Sequence, residues 1–87
     1  MQVRLLTDKR EIVIKGVPTQ WIAERIIRDM NEIIVSSESD LAYFFEGEPG
    51  PFGEGLTIRV RYKTLSEGEV NALRKYFELK KVLLDVV

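Results

Sequence analysis

From Leu56 to Lys63 apolar and polar residues alternate without a break. Leu56, Ile58, Val60 and Tyr62 fall on one side of a strand, and Thr57, Arg59, Arg61 and Lys63 on the other. Two shorter apolar runs, Val3 to Leu6 and Glu11 to Lys15, flank the polar residues Thr7 to Arg10, the pattern of a β-hairpin. Gly16 then interrupts the strand pattern, and Pro18 suits the first turn of a helix, where its missing N–H costs nothing. The spacing predicts a helix from about Pro18 to Asn31. On a helical wheel Ile22, Ala23, Ile26, Ile27, Met30, Ile33 and Ile34 fall in one arc, with Glu24, Arg25, Arg28, Asp29 and Glu32 outside it.

After the polar break Ser36 to Asp40, the aromatic-rich run Leu41 to Glu46 reads as a strand. Glu46 to Gly55 holds four glycines and two prolines and reads as a loop. Strands joined by so short a connection are most simply antiparallel neighbours. Ser66 and Glu69 have the spacing of a capping box, so a second helix starts there, with Glu67 and Glu69 at its positive end and Lys80 and Lys81 at its negative end. Val70, Leu73, Tyr76 and Phe77 form its buried stripe. Val82 to Val87 alternates again and reads as a last strand, with Val82, Leu84 and Val86 pointing inward.

The element order is therefore β-β-α-β-β-α-β. If one strand of the first hairpin is accessory, the remainder is a split β-α-β unit repeated once, which is the ferredoxin-like two-layer α+β sandwich. Both helices would cover one sheet face, leaving Thr57, Arg59, Arg61 and Lys63 on the open one. A less regular α+β sheet, in which the two hairpins pair separately, is the alternative.

Length and composition support one small domain spanning residues 1–87: 45% of residues are apolar and 31% charged, a globular balance. Cysteine and histidine are both absent, which removes disulfides, thiol nucleophiles and imidazole-based triads or metal centres. Met1 to Arg10 lacks the apolar core of a signal peptide, and no apolar run is long enough to cross a bilayer. The expectation is a cytoplasmic protein that does not engage membranes.

The net charge of −1 hides a separation. Ser36 to Gly55 carries −5 from Glu38, Asp40, Glu46, Glu48 and Glu54, and the rest of the chain carries +4. These carboxylates do not have EF-hand spacing, so no metal is expected. The separation also suits an acidic loop on one copy meeting a basic face on another. Glycines 47, 50 and 53 have the spacing of a GxxG phosphate clamp, but in an acidic loop between strands, where such a clamp does not function. No phosphate-binding, dinucleotide-binding or nucleophile-elbow motif occurs, so neither a cofactor nor an enzymatic activity is expected.

Three surfaces remain as candidates. Trp21 lies outside the apolar arc of the first helix beside Arg25 and Arg28, a combination enriched at protein interfaces, unless the ring folds back over the preceding hairpin or an adjoining loop. Tyr43, Phe44 and Phe45 are consecutive in a strand, so either Phe44 or the pair Tyr43 and Phe45 faces away from the helices. Arg59, Arg61 and Lys63, joined by Arg4 and Lys15 if the register allows, form a basic strip that is either an ordinary solvated sheet face or a surface able to meet phosphates. That strip carries no aromatic platform of the kind sheet-type RNA readers use. The favoured expectation is a non-catalytic protein-interaction or assembly module that self-associates, with Trp21, Arg25, Arg28, Tyr43 and Phe45 as partner-binding residues. The alternative is a nucleic-acid-binding accessory protein that uses Arg59, Arg61 and Lys63.

Overall fold

In the computed structural model, which describes residues 1–37, 41–49 and 55–87, the polar residues Thr7 to Arg10 close a hairpin. Its strands are β1 (Gln2–Leu6) and β2 (Glu11–Val17), paired antiparallel with Val3 opposite Ile14 and Leu6 opposite Glu11. Arg10 takes a positive φ of 51° in the turn, where its N–H donates to the Thr7 carbonyl. Gly16 does not end β2. It sits at φ 73° inside a bulge that shifts the register between Ile14 and Val17 and lets the strand run on to a buried Val17.

Helix α1 is Gln20–Ile33. It starts two residues later than the proline suggests, because the Thr19 hydroxyl accepts from the Ile22 N–H and so fixes the N-cap after Pro18. The hairpin that follows is β3 (Ala42–Glu48) with β4 (Gly55–Arg61). β3 thus extends two residues beyond the expected Glu46. Helix α2 is Glu67–Leu79 and has the full capping box: Ser66 Oγ accepts from the Glu69 N–H while the Glu69 carboxylate accepts from the Ser66 N–H. At its other end Lys81, at φ 61°, closes a Schellman turn, with the Val82 N–H on the Phe77 carbonyl and the Lys81 N–H on the Glu78 carbonyl. Strand β5 is Leu84–Val86, shorter than the tail pattern suggests.

The element order is the expected one, and the fold is a two-layer α+β sandwich consistent with the ferredoxin-like split β-α-β layout. The sheet order is β3-β4-β2-β1-β5. The added strand is not peripheral: β1 lies between β2 and β5 and pairs with β5 in parallel, which makes the sheet mixed. The reason is local. The tight turn keeps β1 beside β2, and the other side of β2 is occupied by β4. The tail is held to β1 by the Val87 N–H on the Leu5 carbonyl and by the Thr7 hydroxyl on the Val87 carbonyl.

Both helices pack on one face. Val3, Leu5, Ile12, Ile14, Ile58, Val60 and Leu84 from the sheet meet Ala23, Ile26 and Met30 of α1 and Leu73 and Phe77 of α2, all buried. The Tyr76 hydroxyl donates to Asp29 at 2.6 Å and ties the helices together. Burial pushes the Tyr76 phenol up, and the bond to the Asp29 carboxylate pushes it further.

A second polar junction joins the end of α1 to the start of α2. The Glu69 carboxylate, 7% exposed, accepts from the N–H groups of Val35 (2.6 Å), Ser36 (2.9 Å) and Ser66 (2.8 Å). Burial alone would raise this carboxyl, but the hydrogen bonds from Ser36, Ser66 and Val35 outweigh it and bring the pKa down to about 2. Beside it the buried Ser37 hydroxyl donates to the Thr64 carbonyl and accepts from the N–H groups of Lys63 and Thr64.

Candidate functional site

The register across β4 decides what the open face can do. Arg59 stands opposite Val13 of β2 and Phe44 of β3, and Arg61 stands opposite Glu11 and Ala42. Glu11 is 6% exposed although it lies on the face away from the helices. Its Oε1 accepts from Arg59 at 2.7 Å and its Oε2 from Arg61 at 3.2 Å. Burial would raise the Glu11 carboxyl, but the two guanidinium groups outweigh it and hold it below the usual carboxylate range. Arg59 also donates to Glu46 at 3.0 Å, and the Arg61 guanidinium lies 5.1 Å from the centre of the Phe44 ring. Further along the face Arg4 pairs with Asp85 at 3.8 Å.

The basic strip expected from the alternation is therefore neutralised within the chain. Lys63 does not belong to it, since β4 ends at Arg61. Its N–H donates to Ser37 Oγ, which diverts the backbone away from the sheet. Arg4 does join the face, already paired, and Lys15 stands opposite Gln2.

Strand β3 forms one border of the sheet. Tyr43 and Phe45 lie opposite Val60 and Ile58, so they share the helix side, and Phe44 faces away. Tyr43 is half-buried and its hydroxyl donates to Asn31 Oδ1 at 2.5 Å, with burial raising the phenol. Phe44 and Phe45 are 45% and 42% exposed on opposite sides of the same strand. Main-chain polarity on this border follows from one bond, the Tyr62 N–H on the Arg10 carbonyl. It makes residues 58, 60 and 62 point their peptide groups at β2. Thr57, Arg59 and Arg61 then point at β3, and Glu46, Phe44 and Ala42 answer them. The N–H and C=O groups of Tyr43 and Phe45 consequently face outward, with no described strand opposite them.

The partner-binding residues expected from the sequence fall into two separate patches. Trp21 is 67% exposed, so it does not fold back over the hairpin. Trp21, Arg25 and Arg28 follow i, i+4, i+7 spacing on the outer stripe of α1, all exposed. Trp21, Ile22, Arg25 and Lys80 line a shallow concavity of about 360 Å³. Tyr43 reaches the opposite end of the same helix at Asn31, about 15 Å from Trp21 along the axis. An open hollow of about 680 Å³ at the bulged end of the sheet is bordered by Lys15, Gly16, Glu46, Gly47 and Thr57.

Compared with known proteins, the chain matches no family model, no curated protein and no solved structure.

The metal reading of Glu38, Asp40 and Glu54 and most of the GxxG spacing lie outside the described residues. Among the described residues no group of three potential metal ligands gathers, and no helix is long and apolar enough to cross a membrane. Two residues of the site are not evident from the sequence pattern: Glu11, which neutralises the arginines, and Ala42, the small neighbour of Arg61 on β3. The first carried a signal, because an acidic residue at a strand start can face a basic strand once the register is known.

Proposed function

We propose that this chain is a non-catalytic protein-interaction module whose docking element is the outer border of β3. The observation that supports this reading is the combination on one border strand of outward main-chain groups at Tyr43 and Phe45 with two aromatic rings, each more than two-fifths exposed. An extended segment added there would gain main-chain hydrogen bonds from the border and side-chain contacts from Phe44 on one face and Phe45 on the other. Natural sheets protect such borders with lysine, proline or inward charge, and Ala42 to Glu46 carries none of the first two. Trp21 with Arg25 and Arg28 offers a second, smaller contact patch. The absence of cysteine suits a reducing, cytoplasmic setting, since the fold is held without disulfides.

A phosphate-binding role for Arg59 and Arg61 finds less support, because each guanidinium already has a carboxylate partner. The test is selection of extended peptides from a random displayed library, followed by mapping of the bound site by amide chemical shifts. Shifts confined to β3 and the facing residues of β4, lost in Phe45→Lys, are expected. Selected peptides that map to α1 or to β5, with β3 unmoved, would overturn the reading.

A further inference from the structure

We infer that the occupant of this border is a second copy of the chain, paired β3 to β3 antiparallel about a two-fold axis at Phe44. The inference rests on the border-docking reading above and names its partner and register. The outward main-chain groups at odd-numbered residues restrict the axis to a residue and not to a point between residues. The candidates are therefore few, and charge and backbone geometry separate them.

An axis at Glu46 sets two like charges directly opposite, which is destabilising. An axis at Phe45 places Gly47 opposite Tyr43 as a hydrogen-bonded pair, but Gly47 has a φ of 85°, outside the extended region that regular strand pairing uses. An axis at Tyr43 gives Glu46 a mate that would precede the strand. An axis at Phe44 avoids all three faults. It sets Phe44 against Phe44 on the open face and Tyr43 against Phe45 on the helix side. It leaves both copies of Gly47 at the ends of the ladder and places Glu46 against Ala42.

That last pairing is complementary in charge. Ala42 stands beside Arg61 within its own sheet. Glu46 of the second copy would stand on the other side of Ala42, about 10 Å from Arg61 in backbone terms, two strand spacings. Only the methyl group of Ala42 lies between, so a long guanidinium arm and a glutamate meet above it. Both groups have capacity left: among the described residues Arg61 uses its Nε alone, on Glu11, and Glu46 uses Oε1 alone, on Arg59. Their side chains are 64% and 56% exposed. The two-fold axis makes this bridge twice, and Glu46 would then be shared by two arginines in the manner already seen at Glu11.

The lack of native cysteine makes a cysteine scan unambiguous. Phe44 would face its own copy as a non-hydrogen-bonded pair, with Cα atoms about 4.5 Å apart, inside the range a disulfide spans. Under mild oxidation Phe44→Cys should give disulfide dimer as the main product. Ala42→Cys and Glu46→Cys should each give no disulfide-linked dimer alone yet cross-link when mixed. Unmodified protein should show by light scattering a mass near twice 10.1 kDa at high micromolar concentration. A dimer in which Glu46→Cys links to itself, or Phe44→Cys links to Glu46→Cys, would overturn the register. A strict monomer that still binds selected peptides at β3 would overturn the second-copy occupant and leave the border-docking reading standing. Loss of both would overturn both.

Discussion

Replacing Glu69 by glutamine tests whether one carboxylate holds the end of α1 to the start of α2. Three backbone N–H groups converge on it, from Val35, Ser36 and Ser66, at 2.6 to 2.9 Å. A carboxylate has acceptor sites for all three, whereas a carboxamide must turn its NH₂ group toward at least one of these donors. The fall in pKa from 4.5 to about 2 corresponds to about 3 kcal/mol of preference for the ionised form in the folded state. Water at the rim of the junction screens part of this, so a loss of about 2 kcal/mol is expected at neutral pH. For a domain of this size that is a drop in melting temperature of roughly 8 to 16 °C.

The sign of the pH dependence follows from the depressed folded-state value. The contribution is complete above about 4.5, where the unfolded chain is already ionised, and is lost as pH falls from there toward 2. Urea unfolding of wild type and Glu69→Gln between pH 7 and pH 2 isolates it, because the other carboxylates titrate alike in both proteins. The two stability curves should stand apart at pH 7 and converge through that window. Curves that run parallel, or a difference below about 0.5 kcal/mol at pH 7, would refute the assignment.

Glu11→Gln removes the carboxylate shared by Arg59 and Arg61 and should cost about 1 to 2 kcal/mol at neutral pH, read from the midpoint of urea unfolding; an unchanged midpoint would show that the pair is not coupled to the sheet. Lys81→Gly should act in the opposite direction, raising stability by up to about 1 kcal/mol in the same assay, because φ 61° favours glycine at this Schellman position; a loss of stability would mean that the lysine side chain contributes more than its backbone strain costs.

Much of the fold was legible because its signals are local. The alternation from Leu56, the capping box at Ser66 and Glu69 and the polar turn at Thr7 to Arg10 each declare an element within a few residues. What stayed hidden is non-local. Glu69 reads as an N3 residue serving its own helix, and nothing near it reveals the N–H groups of Val35 and Ser36, more than thirty positions away. The end of β4 at Arg61 depends on Ser37, which takes the N–H groups of Lys63 and Thr64. The exposure of Trp21 depends on where the hairpin lies relative to α1. The partner of the arginines depends on which residue of β2 stands opposite Arg61, and shifting that register by a single residue would have sent Glu11 to the core face.

That register also separates the two ways this molecule could meet a partner. A phosphate at Arg59 competes with Glu11 and Glu46 for one guanidinium, and one at Arg61 comes up beside the Glu11 carboxylate already on its Nε; where it displaces Glu11, which is 6% exposed, that carboxylate loses its partners. Breaking such a pair leaves an uncompensated buried charge, and that cost would oppose the gain from counterion release. Binding at β3 carries no such penalty. The peptide groups of Tyr43 and Phe45 already face outward, so an incoming strand exchanges hydrogen bonds with water for hydrogen bonds with protein while covering Phe44 and Phe45. The intramolecular ion pairs assist it further. Glu11 holds Arg61, whose guanidinium lies 5.1 Å from the centre of the Phe44 ring, and this contact lowers the side-chain entropy the ring has left to lose when a second strand arrives.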